Sequence, residues 1–400
     1  MLSKLILDGF RSCVDRTALD FAPLTLLAGT NNAGKSSFLG TLLAFCQSEQ
    51  SASRYQLQLS GEWVDLGPFD ELLSPDRDSF SIGIEGILDG LELSVVWDFV
   101  EPSNRVLPEA RVSRIQALVG SNEVTISVAA DGSILDGEAA SSQLLHPGAL
   151  LRPTKALTEL ALLPFRAGRV LAVGPYRAPP ESIAPYRRGT AGTLVGRFGQ
   201  YSADVFSQRR ADHTRVLPPT SAREEDTISR AMDAWWSYVL GDEITIQVNE
   251  ERRLGFSVRL DTSGIADRSF GQVGFGLSQL WPILVTCLVS RPGDLVIIET
   301  PEAHLHPGAQ HRVARLFVEL AKHDRQVIVE THSEHVVAAG CLAVKEAQLE
   351  PTDLALSFLS QVRGETQVER IPVDDSGRKL VVPEGFFDQS ARELLALLKN

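Results

Sequence analysis

The sequence predicts an α/β fold in which a mostly parallel core is interrupted by an antiparallel β subdomain and by an inserted, partly helical lid region. Three observations predict it. Apolar strand-like runs alternate with helical periodicity in both terminal thirds, the pattern of a parallel sheet covered by helices. A glycine-bearing loop, GTNNAGKSS, joins one such strand directly to a helix. Between the two thirds the texture changes to in-out alternation with turn dipeptides. The implied divisions are a core part over 1–78, the antiparallel subdomain over 79–135, the insertion over 136–245, a second core part over 246–345 and an appended region over 346–400.

In chain order, residues 3–29 read as two strands, SKLILDGF and LDFAPLTLLAG, the second running into the glycine loop and the helix FLGTLLAFCQSE. FSIGIEGILDGLELSVVWDFV alternates about Asp89-Gly90, a two-residue hairpin signal, and EVTISVAADGS continues the pattern. Within the insertion, Pro, Gly and Arg clusters such as GPYRAPPESIAPYRRGT separate helical pieces, of which TISRAMDAWWSYVL is the clearest. Strands in EITIQVNE and LGFSVRLDT, a turn at FGQVGFG, a helix in LSQLWPILVTCLVS and the apolar strand DLVIIE follow. GAQHRVARLFVELAKHD sets Val313, Leu316, Phe317 and Leu320 on one helical face and leads into QVIVETH, a second buried-type strand. There is no internal repeat.

Four hundred residues exceed what a single core usually fills, and 44% hydrophobic residues supply ample core. A formal charge of -13 excludes a chain that coats nucleic acid over its whole surface, so contact with DNA is expected only in patches. The four cysteines have no C-x-x-C spacing and read as thiols in a reducing compartment. No apolar run approaches the roughly 20 residues of a membrane span, and the N-terminus has no signal-type core. A cytoplasmic protein without membrane association is expected.

Gly29-Thr30-Asn31-Asn32-Ala33-Gly34-Lys35-Ser36 fits G-x-x-x-x-G-K-[ST] at every specified position, with a strand before it and a helix after it. The residue types suit a phosphate. Glycines let backbone N–H groups from Asn31 to Ser37 turn inward, Lys35 reaches the β- and γ-oxygens, and the Ser36 hydroxyl ligates Mg²⁺. ATP and Mg²⁺ are the expected cofactors. Such a loop needs a second strand ending in an acid for the Mg²⁺ shell, and LVIIE supplies Glu299. The following segment, IIETPEAHLHP, also offers Glu302, His304 and His306 as a zinc set. However, the histidines alternate along an extended piece beside Pro307, and no third ligand stands at metal spacing.

FRS at 10–12, the loop region 23–37, GFGLSQLWPIL at 274–284, IIETPEAHLHP at 297–307 and VIVETHSEH, with 328–335 as its core, occur in an order that resembles the ABC-type ATPases of the RecF, SMC and OLD kind, in particular their stand-alone bacterial relatives. These motifs frame the chain and leave about 80–270 uncovered. The resemblance implies a P-loop ABC-type ATPase head that works as a homodimer or higher even oligomer, with two nucleotides sandwiched between chains. It implies that GFGLSQ is the signature segment that meets the γ-phosphate of the opposite protomer, through Gly274, Gly276 or Ser278. An N–H-rich helix start suits that task. It makes His332 the switch histidine, able to hydrogen-bond the γ-phosphate when neutral. The tail PVDDSGRKLVVPEGFFDQSARELLALL resembles the uncharacterised C-terminal segment of many of these ATPases and is expected to pack as a hairpin and helix.

One departure matters. The family pattern follows the Mg²⁺ acid with a glutamate that polarises the attacking water, and this chain has Thr300. A threonine takes no proton at neutral pH, so Glu302 or His332 is expected to orient the water, or hydrolysis is slow. The resemblance points to control of a nuclease or other DNA-directed partner in defence against phage. The alternatives are genome maintenance and a nucleotide-gated assembly scaffold with little turnover. Arg177, Arg187 and Arg188 among Tyr176 and Tyr186 suit phosphate or base contact, or else a solvated loop with a structural arginine.

Overall fold

One helix gripped between two sheets organises the molecule. The computed structural model describes residues 1–48, 56–88, 91–102, 109–120, 122–129, 134–136, 170–178, 183–187, 194–251, 254–262, 265–269, 272, 274–389, 393, 396 and 397. The N-terminal elements are β1 (Leu2–Asp8), β2 (Thr17–Asp20), β3 (Leu24–Gly29), α1 (Lys35–Ser48), β4 (Gln56–Gln58), β5 (Ser79–Leu88), β6 (Leu91–Val100), β7 (Glu109–Val119), β8 (Asn122–Val128) and β9 (Ile134–Asp136). The middle holds β10 (Val170–Val173), α2 (Ser202–Arg209), β11 (His213–Thr214), β12 (Asp226–Thr227), α3 (Ile228–Leu240), β13 (Ile244–Glu251), β14 (Gly255–Thr262) and β15 (Ile265–Ser269). The last third holds α4 (Phe275–Val289), β16 (Leu295–Glu299), α5 (Pro307–Lys322), β17 (Gln326–Glu330), α6 (Glu334–Lys345), β18 (Leu354–Val362) and β19 (Glu365–Arg370).

The core sheet has the order β10-β16-β17-β3-β18-β19, parallel through β18 and antiparallel at β19. The second large sheet is antiparallel in the order β2-β1-β5-β6-β7-β8-β9, with β4 on β7. Three placements differ from the sequence expectation. The segment expected as one strand over LDFAPLTLLAG is two strands in different sheets, because Pro23 offers no ladder donor and the chain crosses over there. β1 and β2 join the antiparallel sheet, where β1 pairs with β5. Core strands also come from regions expected to lie outside the core: β10 edges the parallel sheet, and β18 lies directly against β3. The antiparallel pairing expected about Asp89-Gly90 is present, with Leu88 opposite Leu91, whereas the two turn residues themselves, much of the insertion and most of the helix expected in the tail fall outside the described residues.

Strand parity sorts the core side chains. Leu26, Val296, Ile298, Val327 and Val329 face a cluster built with α2 to α6. Leu27, Leu295, Ile297 and Ile328 face the opposite cluster, which holds Phe38 and Leu42 of α1 and the inner face of the antiparallel sheet. Helix α1 is therefore apolar all round and buried on every residue except Ser36. Continuing the alternation by one residue carries Glu299 and Glu330 onto the α1 side, which is the side where Lys35 begins the helix. Among the described residues no helix is long and apolar enough to cross a membrane.

Gly29 ends β3 in contact with β18: a Cβ there would lie 2.2 Å from the Leu359 carbonyl oxygen, which accepts from Thr30 N–H at 3.1 Å. Gly29→Ala is expected to push the two strands apart and cost about 1–3 kcal/mol in thermal or denaturant unfolding. Gly274→Ala, at an exposed glycine with nothing within 4 Å of the added Cβ, is expected to leave stability unchanged.

Candidate functional site

Loop 29–36 is shaped by local bonds and by β19 behind it. Asn32 and Gly34 take positive φ angles of 62° and 94°. Ala33 N–H donates to Thr30 O at 3.3 Å, and Ser37 N–H donates to Gly34 O at 2.9 Å as the loop enters α1. From the rear, Thr366 Oγ1 donates to Ala33 O at 3.2 Å and shares a 2.7 Å hydrogen bond with Ser12 Oγ. The serine of the FRS motif thus helps brace the loop. Its neighbour Arg11 donates to Leu66 O at 2.7 Å.

Lys35 is 4% exposed, and its ammonium donates to the carbonyls of Gly29 and Thr30 at 3.0 and 2.9 Å. Glu330 Oε1 stands 4.0 Å from Nζ. Burial lowers the Lys35 pKa, and the nearby Glu330 charge opposes that shift.

Glu299 and Glu330 are register partners at the ends of β16 and β17, and both are nearly enclosed. Burial raises the pKa of each. For Glu299 the Arg197 and Arg177 charges work against the rise. For Glu330 the proximity of Glu299 adds to burial, Lys35 opposes, and the carboxyl is pushed up to about 7. Arg197 Nη2 makes an ion pair with Glu299 Oε1 at 2.6 Å, although no hydrogen bond is aligned on that oxygen. The loop carrying Arg197 is seated on α4, where a Cβ at Gly199 would meet the Pro282 ring at 2.3 Å.

Arg177 is buried beneath this edge and donates to the carbonyls of Gly174, Glu299 and Thr300 at 3.1, 2.9 and 2.7 Å. Desolvation brings its pKa down to about 10, which leaves it charged at neutral pH. Both terminal nitrogens are committed to backbone carbonyls, so the structural role is the one seen. Tyr186 Oη donates to Glu250, Arg187 N–H donates to Asp204, and Arg188 lies outside the described residues.

The segment after Glu299 turns sharply, with Thr300 at φ 45° and its N–H on Glu330 O at 2.8 Å. Glu302 reaches across to β17's exit: one carboxylate oxygen accepts from Thr331 Oγ1 at 2.9 Å and the other from His332 N–H at 2.6 Å. His332 itself is exposed, and partial desolvation together with Lys35 lowers its pKa, which favours the neutral ring. His304 and His306 go elsewhere. A Cβ at Gly276 would lie 2.4 Å from His304 O, so the loop abuts the start of α4, and His306 Nδ1 accepts from Gly308 N–H to cap α5. Among the described residues no three His, Cys, Asp or Glu side chains are placed to hold a metal together. At the start of α4, Gly274 is exposed and Gly276 half-buried, whereas Ser278 is buried.

The structure therefore brings Lys35, Glu299, Glu302 and His332 to one sheet edge beside the loop, with the α4 start joined to it through His304. Ser36 is exposed and borders a cavity of about 490 Å³ with Gly40, Trp63, Tyr176, Arg197 and Glu299. A magnesium nucleotide suits this donor set. A buried ammonium faces the loop, and Glu299 Oε1 and Glu330 Oε2 are buried oxygens without an aligned hydrogen bond. Sequence reasoning missed Glu330, Arg197 and Thr366. The first was legible, since parity places the last residue of QVIVE beside the last residue of LVIIE.

The family described as "AAA domain, putative AbiEii toxin, Type IV TA system" matches residues 129–338, that described as "AAA ATPase domain" matches 1–91, and a "Protein of unknown function (DUF3696)" family matches 349–397. No curated protein matches the chain. Among solved structures, an Smc head bound to the C-winged helix domain of ScpA is similar at 12% identity and TM-score 0.52, over 94% of this chain and 98% of that one. An Smc head with an extended coiled coil bound to the C-terminal domain of ScpA, from Pyrococcus furiosus, is similar at 11% identity and TM-score 0.51, over 100% and 99%. At such identities the likeness shows the fold, that of an ATPase head. The chain belongs to the AAA domain family named first, and its fold is that of an ABC-type ATPase head of the RecF, SMC and OLD kind.

Proposed function

We propose that this chain binds MgATP at loop 29–37, hydrolyses it slowly, and uses the cycle to close and open a dimer that governs a partner protein. The observation that carries this reading is the buried Lys35 ammonium, set between a phosphate-type loop and two strand-end carboxylates. Backbone N–H groups of Asn31 to Ser37 wrap the phosphates, and Lys35 exchanges its two carbonyl partners for phosphate oxygens. Ser36 and Glu299 would hold Mg²⁺, which would supply positive charge to offset that of the phosphates. Arg197, which is paired with Glu299, competes for that carboxylate. A neutral His332 contacts the γ-phosphate, and Glu302 fixes the His332 backbone to the loop after β16. The start of α4, at exposed Gly274 and half-buried Gly276, meets the γ-phosphate of the opposite chain. Because both chains touch that one group, its cleavage releases the dimer.

The partner we propose is an effector such as a nuclease, acting in defence against phage. The toxin system named in the matched family's description supports that assignment, and the Smc heads that carry ScpA domains support a head with a docked partner. A scaffold with little turnover is the second reading, favoured by Thr300 and by the engagement of both Glu302 oxygens.

Lys35→Ala is expected to weaken ATP binding by roughly 10- to 100-fold in calorimetry, the ~1.5–3 kcal/mol of a charge-assisted hydrogen bond. Equal binding by the variant would sink the site assignment. A second expectation concerns pH. Glu330 holds its proton more tightly folded than unfolded, so stability is lost as pH rises from the ordinary carboxylate value of 4.5 through about 7. Glu330→Gln should therefore raise the melting temperature at pH 8 and leave it nearly unchanged at pH 4.5; a variant less stable than the parent at pH 8 contradicts this.

A further inference from the structure

Hydrolysis at a phosphate loop needs an acceptor for the proton of the attacking water, held on the γ-phosphate side of the site. The residue after Glu299 is Thr300, whose hydroxyl does not accept a proton at neutral pH, and Arg177 and the Glu330 carbonyl fix its backbone. Glu299 is ion-paired with Arg197. Glu302 accepts from Thr331 and His332 with its two oxygens, which makes it the latch between the two loops.

Glu330 differs from all three. It ends β17, the strand between the phosphate-loop strand β3 and the Glu299 strand β16, with Leu27 and Glu299 as register partners. Parity turns its side chain to the α1 face, where Oε1 stands 4.0 Å from the Lys35 ammonium that is to meet the γ-phosphate. Its other oxygen, Oε2, is buried and has no hydrogen-bond partner. A carboxylate oxygen so placed can accept from a water lying between itself and the phosphate.

Building on the MgATP reading above, we propose that Glu330 is the catalytic residue that aligns and deprotonates the attacking water, from the strand beside the one that ends in Glu299. In the step, one O–H bond of water breaks and its proton goes to the Glu330 carboxylate. The water oxygen bonds to the γ-phosphorus as the bond from that phosphorus to the β–γ bridging oxygen breaks, giving ADP and phosphate. The proton then leaves Glu330 to phosphate or solvent, which restores the carboxylate.

The test compares full-length parent, Glu330→Gln, Glu330→Asp and Glu302→Gln for MgATP binding by calorimetry, single-turnover cleavage and MgATP-dependent dimerisation by sedimentation. Glu330→Gln is expected to bind MgATP within about threefold of the parent and to lose cleavage by about 100-fold or more, the usual worth of a general base. It should also hold the MgATP dimer longer, while Glu330→Asp, which keeps a carboxylate, and Glu302→Gln, which only loosens the latch on His332, each lose less cleavage than Glu330→Gln. Cleavage by Glu330→Gln within about threefold of the parent would overturn the proposal. So would loss of binding to the level of Lys35→Ala, which would make Glu330 a positioning partner of the lysine. A parent that binds MgATP and cleaves none of it overturns the proposal while leaving the nucleotide switch intact. A parent that binds none removes both.

Discussion

A buried ammonium facing two buried carboxylates is the constraint on which the rest of this structure depends. Lys35, Glu330 and Glu299 are each less than a tenth exposed, and leaving any one of them unpaired in such surroundings costs several kcal/mol. The fold answers with partners: two loop carbonyls for Lys35, Arg197 for Glu299, and the Lys35 charge for Glu330. The carboxyls are nonetheless held above their ordinary range, so the balance favours any ligand that brings both an anion for the lysine and a cation for the acids. A magnesium nucleotide brings both.

Two sheets make that cluster rigid. Helix α1 is enclosed by the parallel sheet on one side and the antiparallel sheet on the other, so the loop at its N-terminus cannot drift relative to either. β18 and β19 then hold the loop from behind, through Leu359 and Thr366. The C-terminal region is part of the site's foundation in this sense. Arg177 performs the corresponding service on the other flank, drawing the carbonyls of Gly174, Glu299 and Thr300 to one guanidinium.

What could be read from the sequence was local. The loop 29–36 with its strand and helix, the buried faces of β16 and β17, and Val313, Leu316, Phe317 and Leu320 inside α5 all follow from patterns within a dozen residues. What could not be read depends on pairing over long separations. Nothing in SKLILDGF states that it pairs with β5 rather than with the core strands, and nothing in LALSFLSQV states that it lies against β3. The same limit hid Arg197, whose target is brought to it by the fold, and left Arg177 open between a phosphate contact and the structural arginine it is, with both terminal nitrogens on backbone carbonyls. Ser278 was named for its residue type, whereas the helix turns it inward and leaves glycines at the exposed start. Glu330 is the exception, since the parity of two adjacent strands already placed it beside Glu299.

The most direct measurement of the central claim is a structure of the protein crystallised with Mg²⁺ and a non-hydrolysable ATP analogue. The triphosphate is expected in loop 29–37, with the Lys35 ammonium moved from the Gly29 and Thr30 carbonyls onto phosphate oxygens and Arg197 withdrawn from Glu299. A nucleotide bound elsewhere, with Lys35 still on its two carbonyls and Arg197 still paired to Glu299, would contradict it.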